Sequence, residues 1–412
     1  MIIIIRRHTY DAISKEADVT QEGPRGTAGA AGAEATGPAD HSRVPSRSRR
    51  TAFALAAASA GSAAVLAPLR AQAQGGPEIR WRCASSYPKS LDTIFGAGET
   101  FARYVAAATD NRFRITVHPA GELVPPLQVL DAVQNASVDL GFTVGQFNWG
   151  KEPTWALATG GRFALNARLQ NAWMYHGGGI ELFEPFFAAN RIYALPCGNT
   201  GAQMGGWFRR EIRSVDDLKG LKMRVAGLGG VVMARLGVVP QQIAAGDIYT
   251  SLERGTIDAA EWVGPYDDEK LGFVKVAPHY YYPGFWEGGA MQHIMINLEK
   301  WNALPDSYKG VIRAAAQATN CDMQARYDAL NPLALRKLVG SGAKLHAFSR
   351  EIMQAAFDAS AAMYAEFSEK SATFKKVYDA MTAFRREGYL WFQVAEGTYD
   401  TFLMQQQRAN RL

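Results

Sequence analysis

The residues able to do chemistry here are few, and most suit binding. Glu261-Trp262 ends the run from Leu252, and a carboxylate at a strand end can ligate a hard cation through oxygen; it could equally be a surface charge or a helix cap. Arg224 closes Lys222-Met223-Arg224-Val225 and precedes Gly227-Leu228-Gly229-Gly230. Its planar donor fork matches a carboxylate, and glycines before a helix allow close approach of an anion; a structural arginine beside a flexible turn is the alternative. No Gly-Lys-Ser/Thr follows, so this is not a phosphate-binding Walker loop. Gly198 to Trp207 carries the amides of Asn199 and Gln203 among glycines, suited to a small polar ligand or a metal, or to a turn entering an edge strand. Tyr280 to Gly289 is aromatic and broken by glycine, a pocket wall or ordinary core. Enzyme motifs are poor: the seven histidines are scattered, and no nucleophile elbow or Cys/His metal cluster occurs. Asp267-Asp268-Glu269 reads as a solvated helix start.

These groups need elements to position them. Ile79–Ala84, Phe113–Val117, Val138–Thr143, 192–195, 203–208, 222–225 and 289–296 read as strands. Segments 91–108, 127–135, 166–190, 215–218, 230–236 and 248–254 read as helices. From Asn302 the chain reads as mostly helix, with breaks near Pro332 and Gly340–Gly342. This alternation implies helix-covered sheets. One internal echo stands out: Leu130 to Leu140 resembles Tyr249 to Ala259, each a helix, a tight turn and a buried strand entered through Asp139 or Asp258. In doubly wound sheets such strand ends face a ligand crevice, so 142–148 and 261–266 are expected at opposite rims of one cleft.

The chain has 412 residues, 48% apolar and 20% charged, enough for two or three domains. Of the net +5, the body after residue 73 holds only +2 (35 basic against 33 acidic residues). That balance argues against nucleic acid as a partner. Residues 46–73 combine Arg47, Arg49 and Arg50, an Ala-rich apolar stretch and Ala71-Gln72-Ala73, which together read as an export signal with cleavage near Gln74. Ser48-Arg49-Arg50 resembles a twin-arginine signal, although Phe53 sits one place late. Residues 1–45 read as an untranslated or disordered extension, with the true start near Val44. Cys83, Cys197 and Cys321 cannot all pair within the chain, and three buried free thiols are expected.

Trp81 to Asp92, the amide–glycine segment 198–207, Gly220 to Gly230 and above all Leu252 to Asp268, with its Glu-Arg-Gly-Thr-Ile-Asp-Ala-Ala-Glu-Trp run, resemble the extracytoplasmic solute-binding subunits of TRAP (tripartite ATP-independent periplasmic) transporters. The resemblance is to their 2-oxoacid-binding, "mannitol/chloroaromatic" branch and covers 79–400. It implies a two-lobed α/β periplasmic-binding-protein fold (type II-like) with a long helix across both lobes and a helical C-terminus. Lobe I is expected at 77–198 with a returning segment at about 263–298, lobe II at 199–262 with segments of 299–370, and C-terminal helices at 371–412. The resemblance further implies that Arg224 pairs with a ligand carboxylate. Gln203, Glu261 and the Trp262 carbonyl would hold sodium or calcium, with Asn199, Trp149 and Glu287 as secondary ligand contacts. It also implies periplasmic delivery of a small organic acid to a membrane permease, and a homodimer built by helices within 373–407. An exported cofactor-dependent enzyme and a ligand-sensing subunit are the rival readings.

Overall fold

The computed structural model describes residues 76–412. The expectations for 1–45 and for the export signal therefore lie outside the described residues. Among the described residues there are eleven strands: β1 (Ile79–Ser85), β2 (Phe113–His118), β3 (Leu140–Thr143), β4 (Ile192–Asn199), β5 (Gly206–Phe208), β6 (Lys222–Arg224), β7 (Val239–Gln241), β8 (Ala259–Ala260), β9 (His279–Tyr282), β10 (Met291–Asn297) and β11 (Lys344–Ala347). They form two mixed sheets, ordered β2-β1-β3-β10-β4 and β11-β9-β5-β8-β6-β7. The return to the first sheet is confined to β10. The strand β9, which falls within the segment expected to return to lobe I, pairs with β5 and β11 in the second sheet. The physical reason lies in register: the aromatic run after Pro278 pairs with Trp207 and Phe208, and Tyr280 stacks on Trp207.

The internal echo is a structural repeat. In the first sheet, helix Val129–Gln134 turns through Ala136 (φ 60°) into β3, parallel to β1. In the second, helix Ala245–Glu253 turns through Gly255 (φ 70°) into β8, parallel to β6. Both aspartates do the same work. Asp139 accepts from the Arg82 N–H (2.8 Å) and donates its own N–H to the Arg82 carbonyl (3.2 Å). Asp258 treats Lys222 identically (3.0 and 2.7 Å). Each carboxylate thereby locks the entry of a buried strand, and the strand's far end sets the cleft.

Several predicted boundaries move. The helix expected at 166–190 divides at Gly177–Gly178 (Gly178 φ 83°) into Ala167–His176 and Gly179–Ala189. Only 206–208 of the expected strand 203–208 is extended in the sheet; the segment before it is taken up by the cleft. Pro332 does not break its helix, which runs unbroken from Asp306 to Gly340. A mid-helix proline forfeits one backbone hydrogen bond, and burial of Tyr327, Ala334 and Leu338 on either side holds the helix through it. At 1.5 Å per residue this helix spans about 50 Å. It packs on β4, on helix Ile94–Ala108 and on helix Pro265–Leu271, and so joins elements that follow the two sheets.

After β11 come helices Arg350–Lys370, Ala372–Val394 and Glu396–Arg408. The first two pack on each other and bury Met363, Tyr364, Phe374, Val377 and Met381. The last buries nothing. Cys83 and Cys197 are buried free thiols as expected, whereas Cys321 is free and exposed, because its helix turns that face outward. Among the described residues, no helix is long and apolar enough to cross a membrane.

Candidate functional site

Both predicted rims line one small cleft, with Val144, Gln146 and Phe147 on one side and Glu261, Trp262 and Val263 on the other. Tyr87, Thr200, Gln203, Arg224 and Gln292 complete its polar wall. The close approach of the rims depends on glycine: Gly227 (φ 55°) lies where a Cβ would come 2.8 Å from Gln146.

Arg224, the last residue of β6, is buried. Its Nε donates to the Ile243 carbonyl (3.1 Å), and its Nη1 to Glu261 Oε1 (2.6 Å) and to the Glu261 carbonyl. The guanidinium lies 4.9 Å from the centre of the Trp262 ring, within cation–π range. Among the described residues, Nη2 makes no protein hydrogen bond and is the donor left for a ligand. Glu261 Oε1 also accepts from the Ala226 N–H (2.8 Å). Burial pushes the Glu261 carboxyl up, the adjacent Arg224 guanidinium pulls it down, and Glu287 raises it.

The Gln203 amide has one end 2.7 Å from Glu287 Oε2 and 3.1 Å from the Trp262 carbonyl oxygen. Both neighbours are acceptors. With its nitrogen there, the amide donates to both; with its oxygen there, three oxygens converge, a set that requires a cation between them. Among the described residues, no cluster of three His, Cys, Asp or Glu side chains is placed to hold a metal. This oxygen set is instead mixed: an amide, a main-chain carbonyl and the Glu287 carboxylate, with Glu261 lining the same cleft. Such donors fit a hard ion such as sodium or calcium.

The secondary contacts fare differently. Asn199 is buried in the framework: its Nδ2 donates to Gln170 (3.0 Å) and its Oδ1 accepts from the Gly201 N–H (3.0 Å). Trp149 is half-buried against the core beneath the first sheet. Neither lines the cavity. Both lie near cleft residues in sequence, but Asn199 still belongs to a strand and Trp149 has turned away after the short helix Gly145–Asn148. Glu287 stands behind Gln203, not on the wall. Asp267 and Asp268 correct the solvated reading, since both are buried. Asp267 accepts from Trp262 Nε1 (3.2 Å) and the Tyr327 hydroxyl (2.8 Å); Asp268 accepts from Trp207 Nε1 (3.0 Å) and the Tyr280 hydroxyl (2.7 Å). Burial pushes these carboxyls up to about 6 and 7. They fix the indoles, and Asp267 thereby fixes the Trp262 carbonyl.

Sequence reasoning missed Arg162, Tyr87 and Gln292, and it reached Gln146 only as part of the rim 142–148. Arg162 is wholly buried against Glu287; a single arginine inside the apolar stretch Trp155 to Leu165 was the available signal. Tyr87, whose hydroxyl meets the Gln292 amide oxygen, sits between Trp81 and Asp92, where its type and spacing alone mark no role.

Two sheets with parallel strand ends aimed at a shared cleft, and an arginine beside an oxygen cage, define a two-lobed receptor for a small anionic solute. The chain belongs to bacterial extracellular solute-binding protein family 7, whose model matches residues 84–371. The protein is a solute receptor and not an enzyme. It is 51% identical over 328 residues (80% of this chain, 90% of the relative) to the monocarboxylate 2-oxoacid-binding periplasmic protein of Nostoc sp. PCC 7120. Among solved structures, it resembles a TRAP transporter solute-binding protein from Bordetella bronchiseptica (47% identity, TM-score 0.80, 81% of this chain and 99% of that one). That protein was described as a mixed-occupancy dimer with copurified calcium and picolinate. It also resembles a TRAP periplasmic solute-binding protein from Pseudoalteromonas atlantica with bound sodium and pyruvate (34% identity, TM-score 0.76, 78% and 98%).

Proposed function

We propose that this chain captures a small 2-oxo or 2-hydroxy monocarboxylate together with one sodium or calcium ion and delivers it, from the periplasm, to a TRAP membrane permease. The convergence of Gln203, Glu287 and the Trp262 carbonyl beside Glu261 and the free Nη2 of Arg224 carries this reading. A bound cation supplies positive charge between the ligand's oxygens and the cage. The protein residues do the rest. Arg224 offers Nη2 to the ligand carboxylate while its other donors hold it in register. Glu261 balances Arg224 and presents negative charge to the cation. Tyr87 and Thr200 line the wall beside Gln203, and exclusion of water strengthens every charged contact. The relatives with calcium–picolinate and sodium–pyruvate support the pairing of ion and acid.

The test is titration of pyruvate in sodium-free buffer with chelator, then with each ion restored. Binding is expected only with an ion present, with positive and reciprocal coupling. Glu261→Gln is expected to lose most affinity and its ion dependence while keeping a native circular dichroism spectrum. Equal affinity in every buffer would remove the cation from the site.

We further propose a homodimer through the distal C-terminal helices. Phe374 and Met381 are buried within their own chain, so only the later part of 373–407 is free to serve. There Trp391, Tyr399 and Phe402 are 57–65% exposed, and the Bordetella relative was described as a dimer.

A further inference from the structure

We propose that Arg162 sets the charge preference of the cation site: by neutralising Glu287 from behind, it restrains the site's affinity for a divalent ion relative to a monovalent one. This rests on the reading of the cleft as a joint site for a cation and a carboxylate, and extends it to a residue that does not line the cavity.

Arg162 follows Gly160-Gly161 and has no exposed surface. Its Nη1 donates to Glu287 Oε1 (2.5 Å) and to the Trp286 carbonyl; its Nη2 donates to Gln146 Oε1 (3.0 Å). The main chain is clamped as well. The Arg162 N–H donates to the Tyr364 hydroxyl (2.5 Å), which donates in turn to the Arg162 carbonyl (3.1 Å). Tyr364 belongs to helix Arg350–Lys370, so the arginine's backbone and its head group are held by separate elements. The two oxygens of Glu287 are thus divided: Oε1 faces Arg162, and Oε2 faces the Gln203 amide.

The charges follow from this arrangement. Glu261 pairs with Arg224 and Glu287 with Arg162, so the four groups sum to zero. A monocarboxylate ligand adds one negative charge. One sodium ion then brings the buried assembly to neutrality, whereas calcium leaves it positive. Without Arg162 the same assembly carries one further negative charge, and calcium becomes the neutralising ion. Uncompensated charge is costly in a buried site. At the low effective dielectric of such a site, one charge a few ångströms away changes the relative affinity for +2 over +1 on the order of 10- to 100-fold.

The experiment measures pyruvate affinity for the purified chain, stripped of metal, in sodium chloride and separately in calcium chloride, and takes the ratio. Arg162→Gln is expected to raise the calcium-to-sodium ratio by roughly tenfold or more. Arg162→Lys, which restores the charge, is expected to bring the ratio back toward wild type, and the double variant Arg162→Gln/Glu287→Gln to do the same. A purely structural role would weaken binding equally in both salts, leave the ratio unmoved and overturn the proposal. If Arg162→Gln alone fails to fold, the comparison of Glu287→Gln with the double variant decides: a ratio raised on adding Arg162→Gln supports the proposal, and an unmoved one overturns it. A wild-type chain that needs neither ion would overturn the cation reading itself, whereas an ion-dependent wild type with an unmoved ratio overturns the role of Arg162 alone.

Discussion

Arg224 is committed on two of its three nitrogens before any ligand arrives, and this decides what a substitution does. Lysine keeps the charge but cannot hold Ile243, Glu261 and a ligand at once. Arg224→Lys is expected to weaken carboxylate binding by roughly 30-fold to several-thousand-fold, the cost of disturbing a buried charged pair, with an unchanged fold. Calorimetry returning wild-type affinity would remove Arg224 from the site. A second buried group bears on stability alone. His293, in β10, is wholly buried, and among the described residues neither ring nitrogen has a partner. Burial pushes its imidazole down to about 4 from the ordinary 6.5. Between those values the unfolded chain binds a proton that the folded chain refuses, so this contribution to stability falls as pH drops through the window. The loss is on the order of 3 kcal/mol by pH 4. Asp267 and Asp268, raised by burial, act in the opposite sense. The difference between wild type and His293→Gln therefore isolates the histidine: urea unfolding from pH 6.5 to 4.5 should show a shallower fall for the variant. Identical slopes would contradict the assignment.

At the scale of elements, the repeated helix–turn–strand unit makes a paired prediction. Asp139→Ala and Asp258→Ala each remove one carboxylate from the main-chain N–H of a neighbouring strand. Each is expected to cost about 1–2 kcal/mol, measured by thermal unfolding, because each carboxylate accepts the same kind of main-chain hydrogen bond; Asp139 also meets the partly exposed Lys300 (3.1 Å), a pair that adds little. The effect on binding should differ. Asp258 lies three residues from Glu261, at the entry of the strand that leads to the cage, while Asp139 supports the opposite rim of Val144, Gln146 and Phe147, so Asp258→Ala should lose more affinity. A large stability cost at one position and none at the other would mean that the repeat is one of shape and not of energetics.

For the whole molecule, the C-terminal helices are the open question of assembly. Trp391→Glu with Phe402→Glu places charge in two exposed apolar positions that touch no buried core. Light scattering at micromolar concentration is expected to give a dimer for the chain beginning near Gln74 and a monomer for the double variant, with pyruvate binding retained in both. A monomeric wild type would leave these helices as exposed surface without a partner copy.

The sequence alone determined the family and the two-lobed fold, and it singled out Gln203, Arg224, Glu261 and Trp262, which the structure places around one cleft, because each was written in local chemistry. The Leu252 to Asp268 run carries a helix, a turn glycine, a strand and a carboxylate in a single stretch. The echo with Leu130 to Leu140 needed only a pattern match. What it left undecided were matters of distance and burial. Pro332 reads as a break until Tyr327 and Leu338 are seen buried on either side of it. Asp267 and Asp268 read as solvated until two tryptophans and two tyrosines close over them. Arg162 lies 125 positions from Glu287, and no local signal connects them. Only the tertiary structure brings both carboxylates, both guanidiniums and the Gln203 amide into one buried cluster, where the low dielectric turns their charges into selectivity.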